Sequence, residues 1–285
     1  MLLIRTLLMI PVAFLVGIMF LGLHRKIIAR IQGRPGPPIQ QELYHLLKFF
    51  VKEMTAPETA CKPVYFGVVA LLIGAWILGL VVVTNGYNFL ILLAVLMLHK
   101  LVEHGAGLSS GSPYGKFGGV RSVYSATAEL PLFAVLAIVY LKTNSLMISD
   151  IVAYQSTHGP LLFQLPLCAL ATYTIMLSKI HHSPLAIVMA KDIVTGYKTE
   201  HFGVLRAGIL TGESIEIFVL MSLFMLVYIG PAPLWGYALG FVLLLASLSF
   251  ISALTPMLAP YHSVMVEASI ASVAVLYYLL KGVIL

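Results

Sequence analysis

The strongest constraint on this chain is the recurrence of apolar runs long enough to cross a lipid bilayer. They fall at about 3 to 23, 64 to 84, 88 to 102, 126 to 142, 160 to 179, 208 to 230, 233 to 255 and 262 to 281. A bilayer core takes about 20 apolar residues in helical form, so eight such runs consume most of the 285 residues. In hydrocarbon only helices and closed barrels satisfy every backbone polar group, and runs this continuously apolar lack the alternation of barrel strands. The expected fold is all-α: a polytopic membrane protein, a bundle of about eight transmembrane helices forming a single integral membrane domain over 1–285. Composition excludes the soluble alternative, since 10% of residues are charged against about 25% in ordinary soluble domains. The opening run follows Arg5 and lacks the small-residue cleavage pattern of a signal peptide, so it reads as the first span.

Orientation follows from the positive charges, which are retained on the cytoplasmic side. The first connection carries Arg25, Lys26, Arg30, Arg34, Lys48, Lys52 and Lys62; the third carries Lys100, Lys116 and Arg121; the fifth carries Lys179, Lys191, Lys198 and Arg206. Arg5, Lys142 and Lys281 fall on the other face. Cytoplasmic loops are therefore expected at about 24–63, 103–125 and 180–207, with both termini outside and the chain in the cell membrane. The net charge of +6 then faces anionic lipid headgroups and cytoplasmic partners, and nucleic acid is not needed to explain it. Within the first loop, Ile39, Leu43, Leu46, Leu47, Phe50 and Met54 recur at helical spacing after Pro37 and Pro38. That pattern predicts an amphipathic helix lying in the interface. A plain lipid anchor would show the same pattern.

A carboxylate at the centre of a span costs about 2.5 to 3.5 kcal/mol on insertion scales, so each one calls for a function or a partner. Glu103, Glu129, Glu213, Glu216 and Glu267 are in or beside the apolar runs. Glu213 and Glu216 are three apart and share a helix face; two carboxyls that close in a low-dielectric site do not both ionise, so one can exchange protons near neutrality. Any one of the five is equally explained as a hydrogen-bonded packing residue, and Glu103 as a helix end. Together, across four spans, they point to a polar path through the bundle, with His99, Lys179, Tyr173 and His262 as candidate intervening groups. The segment from His181 to Gly203 adds Asp192 and Glu200 to that path. Its Ile187, Val188, Ile193 and Val194 suit a loop folded against the bundle that docks a partner rather than a random linker, the plainer alternative being a solvated loop. Cys61 and Cys168 lie far apart and outside CxxC spacing, and the adjacent His181 and His182 point in different directions on a helix. No cofactor is expected on this chain.

The run His24-Arg25-Lys26-Ile27-Ile28-Ala29-Arg30-Ile31-Gln32-Gly33-Arg34-Pro35-Gly36-Pro37, followed by Leu47-Lys48 and Lys52-Glu53, resembles the first cytoplasmic loop of a known family. The family is the H/1 membrane subunit shared by respiratory complex I and the membrane-bound NiFe hydrogenases. Arg121 with Glu129-Leu130-Pro131-Leu132 is similar to its arginine and glutamate at the next inward-to-outward span. Ser183-Pro184, Ala190, Thr195-Gly196 and Thr199-Glu200 with Gly203 resemble its third cytoplasmic loop, and Gly212-Glu213 matches the glutamate of the following span. The likeness runs from about residue 20 to 230; the last two spans match only as hydrophobic helices.

The resemblance implies a subunit that joins an electron-transferring peripheral arm to an ion-translocating membrane arm. Partners would be iron–sulfur and hydrogenase-like catalytic subunits on the cytoplasmic side, antiporter-like membrane subunits and lipid, with iron–sulfur clusters and a NiFe centre held by those partners. Arg25, Arg30, Arg34, Lys48, Lys52, Glu53 and Arg121 would shape the docking surface. Glu129, Glu200 and Glu213 would continue the path inward, to which burial adds Glu103, Glu216, Glu267 and Asp192. Quinone-using members carry an acidic third loop, whereas Ser183-Pro184-Leu185-Ala186-Ile187-Val188-Met189 has no carboxylate before Asp192. Gly111-Ser112-Pro113-Tyr114-Gly115 with Gly118-Gly119 resembles the hydrogenase branch, including its sulfur-reducing relatives. The hydrogenase-like branch is favoured over the quinone-binding H/1 subunit, and both over a stand-alone cation or proton transporter or a purely structural anchor.

Overall fold

The computed structural model describes residues 2–130, 132–189 and 196–282. Among them every extended element is helical: α1 (Leu2–Ile31), α2 (Gln41–Phe50), α3 (Lys62–Asn85), α4 (Phe89–Ser109), α5 (Pro113–Glu129), α6 (Leu132–Thr143), α7 (Ile148–His158), α8 (Leu161–Gln164), α9 (Pro166–Lys179), α10 (Val204–Phe224), α11 (Leu234–Leu254) and α12 (Pro260–Leu280). Among the described residues seven stretches are long and apolar enough to cross a membrane, α5 and α6 together forming one and α10 running on to Ile229.

The run expected at 160 to 179 is not a continuous helix. Pro166 lacks an N–H to continue the ladder, Leu165 takes the non-helical pair φ −127, ψ 56, and the run divides into α8 and the 14-residue α9. At 1.5 Å per residue α9 is about 21 Å long, short of the ~30 Å hydrocarbon core. Beyond it, residues 180–188 fold inward with Ser183, Leu185, Ala186 and Val188 buried. Irregular backbone at that depth is tolerated where protein covers it. Residues 180–188 of the third loop therefore cover the bundle and are not a solvated linker.

The segment expected as the second cytoplasmic loop, 103–125, is helical except at 110–112, because α4 continues to Ser109 and α5 starts at Pro113. These two helices touch through glycine: a Cβ on Gly107 would lie 2.6 Å from both the Gly115 carbonyl oxygen and the Gly119 nitrogen. The amphipathic helix expected over Ile39 to Met54 is present in shorter form as α2, with Leu46 buried and Leu47 and Phe50 exposed; it ends at Phe50, before the exposed Met54.

α10 is the axis of the bundle. Of its most apolar window 83% is buried, against 28% for α11 and for α12, and it packs on α1, α2, α3 and α9. α1 crosses it so closely that a Cβ on Gly17 would sit 1.8 Å from the Ser214 carbonyl oxygen. Only glycine permits that approach, which sets Glu213 and Glu216 between α1, α4 and α9. The last turn, Met225–Ile229, is π-helical, and Gln155 of α7 donates to the Leu226 carbonyl at 2.9 Å.

Candidate functional site

Five helices and one loop bring five carboxylates and their counter-ions into one buried group. α4 supplies His99, Lys100 and Glu103 at helical spacing, so all three point inward. α5 adds Glu129 at its last residue, α9 adds Lys179 at its last residue, α10 adds Glu213 and Glu216, and α12 adds Glu267. The third loop contributes His181, Tyr197 and Lys198.

At the loop end, the Lys198 ammonium pairs closely with Glu213 Oε1, and His181 Nε2 lies 3.1 Å from Glu213 Oε2 and 3.3 Å from Lys198 Nζ. One helical turn on, Glu216 Oε1 is 3.8 Å from His99 Nε2, which also lies 3.2 Å from Glu103 Oε1. Trp76 Nε1–H donates to His99 Nδ1 at 2.9 Å, and indole nitrogen is only a donor, so His99 carries its proton on Nε2, the nitrogen that faces Glu103. Lys100 then bridges Glu103 at 3.0 Å and Glu129 at 3.5 Å, and Lys179 reaches Glu129 at 3.0 Å. The Lys179–Glu129 contact is an ion pair by distance without hydrogen-bond alignment, since among the described residues neither Lys179 Nζ nor the Glu129 oxygens have a hydrogen-bond partner. Tyr197 donates to Glu103 at 3.4 Å. Burial, and then the Glu103, Glu213 and Glu216 carboxylates, push its phenol well above 10.0, so it remains a donor.

The pairing is incomplete. Lys100 and Lys179 balance Glu103 and Glu129, and Lys198 balances Glu213. Among the described residues, neither Glu216 nor Glu267 has a lysine or arginine nitrogen within 4.0 Å, and each keeps a buried oxygen without a hydrogen-bond partner. Between Glu213, Glu216, His99, Glu103 and Lys179 lies a cavity of about 20 Å³. A second, of about 10 Å³, adjoins Lys179, Glu213 and Glu216. A buried water needs about 10–15 Å³ measured this way, so the gaps suit single waters and not an open channel.

The loops meet above this group. His24 Nε2 contacts the His181 carbonyl at 2.6 Å and its Nδ1 contacts Ser249 Oγ at 2.8 Å, tying α1 and α11 to the third loop. Gly203 presses on the first loop, where its Cβ would come within 2.5 Å of the Glu53 carbonyl oxygen. On the same side of the bundle as these loops, Arg25, Ile28, Ala29, Arg34, Pro35 and His182 line a cavity of about 400 Å³.

The structure thus unites Glu103, Glu129, Glu213, Glu216 and Glu267, all buried, together with His99 and Lys179. Glu103 is inside α4 and not at a helix end. Glu200 stands at the rim, half-buried, with its carbonyl accepting from Tyr65 OH at 2.6 Å. Asp192 lies outside the described residues. Tyr173 OH instead donates to Ser247 Oγ at 3.0 Å, and His262 is exposed beside Tyr261. Of the docking residues, Arg30, Arg34, Lys48, Lys52 and Glu53 are exposed; Arg25 pairs with buried Glu42, and Arg121 is half-buried in α5. Lys100, Lys179 and Lys198, counted as inner-face charge from the sequence, are buried counter-ions, so three fewer basic side chains face lipid than expected. The one signal for them is spacing: Lys100 stands three residues before Glu103 in an apolar helix.

Comparison with known proteins places the fold in a family. A family profile described as NADH dehydrogenase matches residues 4–280. A Methanocaldococcus jannaschii protein provisionally named an NADH-ubiquinone oxidoreductase is 53% identical over 278 residues, covering 95% of this chain and 94% of its own. The H subunit of the Geobacillus kaustophilus NADH-quinone oxidoreductase is 25% identical over 240 residues, 77% of this chain and 72% of the relative. A chain in the structure of the membrane-bound sulfane sulfur reductase, an archaeal respiratory membrane complex, superposes with a TM-score of 0.86 at 26% identity, covering 97% of this chain and 99% of that one. The chain belongs to the NADH dehydrogenase family, alongside the H subunits of the NADH-quinone oxidoreductases.

Proposed function

We propose that this chain is the membrane-anchor and coupling subunit of a complex I-like redox-driven ion pump in the cell membrane, of the hydrogenase-like or sulfur-reducing branch. The observation that carries this is the series of buried polar groups, with water-sized gaps between them, from the third loop through Glu213, Glu216, His99, Glu103 and Lys100 to Glu129. Such a chain is costly in an apolar bundle and idle in a plain anchor. Partner subunits on the inner face hold the iron–sulfur clusters and the NiFe-type centre, docking on Arg25, Arg30, Arg34, Lys48, Lys52, Glu53 and Arg121. Reduction there shifts the third loop, whose Lys198 and His181 are the counter-ions of Glu213. The carboxylates pass the electrostatic change laterally to antiporter-like neighbours, which move protons or sodium ions.

Isolation of the tagged chain from native membranes in mild detergent tests this reading. Iron-containing partners and further membrane subunits are expected to come out with it. A chain that emerges alone and moves ions in vesicles is instead a transporter.

A second reading rests on the inner-face cavity of about 400 Å³, within the ~300–1,000 Å³ of ligand pockets, with Arg25, Arg34 and His182 above apolar Ile28 and Ala29. It suits a quinone, as in the quinone-reducing members. A water-soluble quinone that competes with the natural acceptor in the complex, and loses that effect on Arg25→Ala, supports it.

A further inference from the structure

Glu267 belongs to none of the matched motifs, yet it is 3% exposed in the middle of α12. Its Oε1 lies 3.2 Å from Ser263 Oγ, and Ser263 Oγ lies 3.4 Å from the Leu185 carbonyl oxygen in the third loop. A serine hydroxyl has one proton to give. The Leu185 carbonyl can only accept, so the two contacts are separate two-centre hydrogen bonds, rather than one proton shared between two acceptors, when Ser263 donates to Leu185 and Glu267 donates to Ser263. In that arrangement the carboxyl carries a proton on Oε1. The unpartnered Oε2 and the lack of a cation within 4.0 Å among the described residues point the same way. The groups facing Glu267 are Glu129 from α5, Lys100 from α4 and Lys179 from α9. On α6, the remaining helix packed against α12, the titratable Tyr140 and Lys142 lie towards the far end. On α12 itself, His262 is exposed.

We infer that Glu267 is a proton-exchange site on α12, a branch from Glu129, and that its proton latches the third loop through Ser263 and Leu185. When the proton leaves for Glu129, the carboxylate becomes the better acceptor. The Ser263 hydroxyl swings from Leu185 to Glu267, and the loop loses one of its tethers, leaving those at His24 and the Leu258 N–H to Pro184 carbonyl bond. Proton occupancy of the branch and seating of the loop then favour each other reciprocally. The inference rests on the coupling role proposed above for the third loop, but its test does not depend on pumping.

The test compares the intact complex with its E267Q and S263A forms. Infrared spectra at neutral pH are expected to show a protonated-carboxyl carbonyl band that is lost in E267Q; loss of a carboxylate band instead overturns the inference. Amide hydrogen exchange over 185–188 gives the second readout, taken as the ratio of variant to wild type at each pH so that intrinsic exchange chemistry cancels. The amide introduced by E267Q still donates to Ser263, so that variant is expected to keep the loop protected as pH rises while the wild type loses protection. S263A is expected to lose protection at every pH. A wild-type loop that follows E267Q at all pH values, or an S263A loop as protected as wild type, overturns the latch. Assembly of E267Q at wild-type level is expected, because a neutral isostere replaces a neutral acid.

Discussion

The two ends of the buried ionic chain are built differently. At the Glu129 end, both counter-ions are on helices: Lys100 in α4 and Lys179 at the close of α9. At the Glu213 end, both come from the third loop, as Lys198 and His181. Helical residues are positioned by packing along the element, whereas the loop is held by a handful of tethers at His24, Ser263 and Gly203. The counter-ions of Glu213 can therefore move with the loop, while those of Glu129 are held in place by their helices. An input end and a fixed relay end are what a coupling element needs.

The largest effect is expected at the fixed end. Lys179→Met leaves Glu129, 0% exposed, with only the longer contact to Lys100, and removing one partner of a buried pair costs about 3–5 kcal/mol. Thermal unfolding and assembly of the complex should both suffer; a variant that assembles with unchanged melting temperature would show that the pair is not the structural clamp of this end. Lys198→Met should cost less, about 1.5–3 kcal/mol as for a hydrogen bond to a charged group, because His181 remains beside Glu213 and Arg206 contributes to its field. Its signature is local, with faster amide exchange in 196–203 and little change in α4. If exchange rises equally in both places, the ends are not independent.

The smallest effect is a pH dependence confined to the loop end. His201 stacks on Tyr65 with ring centroids 4.3 Å apart, and Nδ1–H donates to the Tyr197 carbonyl at 2.9 Å, leaving a buried Nε2 with no hydrogen-bond partner among the described residues. Burial lowers its proton affinity from the usual 6.5, so the unfolded chain binds the extra proton more readily. The stability contribution is complete above pH 6.5 and is lost as pH falls below it. Exchange protection near Tyr65 should weaken on acidification in the wild type and hold steady in His201→Phe. Equal pH profiles would remove His201 from the account of the loop.

This asymmetry also explains what the sequence could reveal. The carboxylates stand out because acid in an apolar run has few explanations, and Glu103, Glu129, Glu213, Glu216 and Glu267 are all buried. Lysines do not stand out, since the positive-inside rule offers a ready surface role for Lys100, Lys179 and Lys198. Only their partners in space show that they are internal. The fourth apolar run reads from residue 126, although its helix begins at Pro113, because the glycines that pack α5 on α4 dilute hydropathy. The break at Leu165–Pro166 is marked by a proline but hidden by continuous apolarity on both sides. The π turn before Gly230 is written in no local pattern; the partner its Leu226 meets, Gln155, is 71 residues away in sequence.

The most direct test of the coupling role is the number of ions moved per electron by the reconstituted complex carrying Glu213→Gln. The substitution keeps the size of the side chain and removes the charge that Lys198 and His181 engage. The expected result is that electrons still reach the acceptor while ion movement per electron falls away. Wild-type values for both redox turnover and ion movement would contradict a path that begins at Glu213.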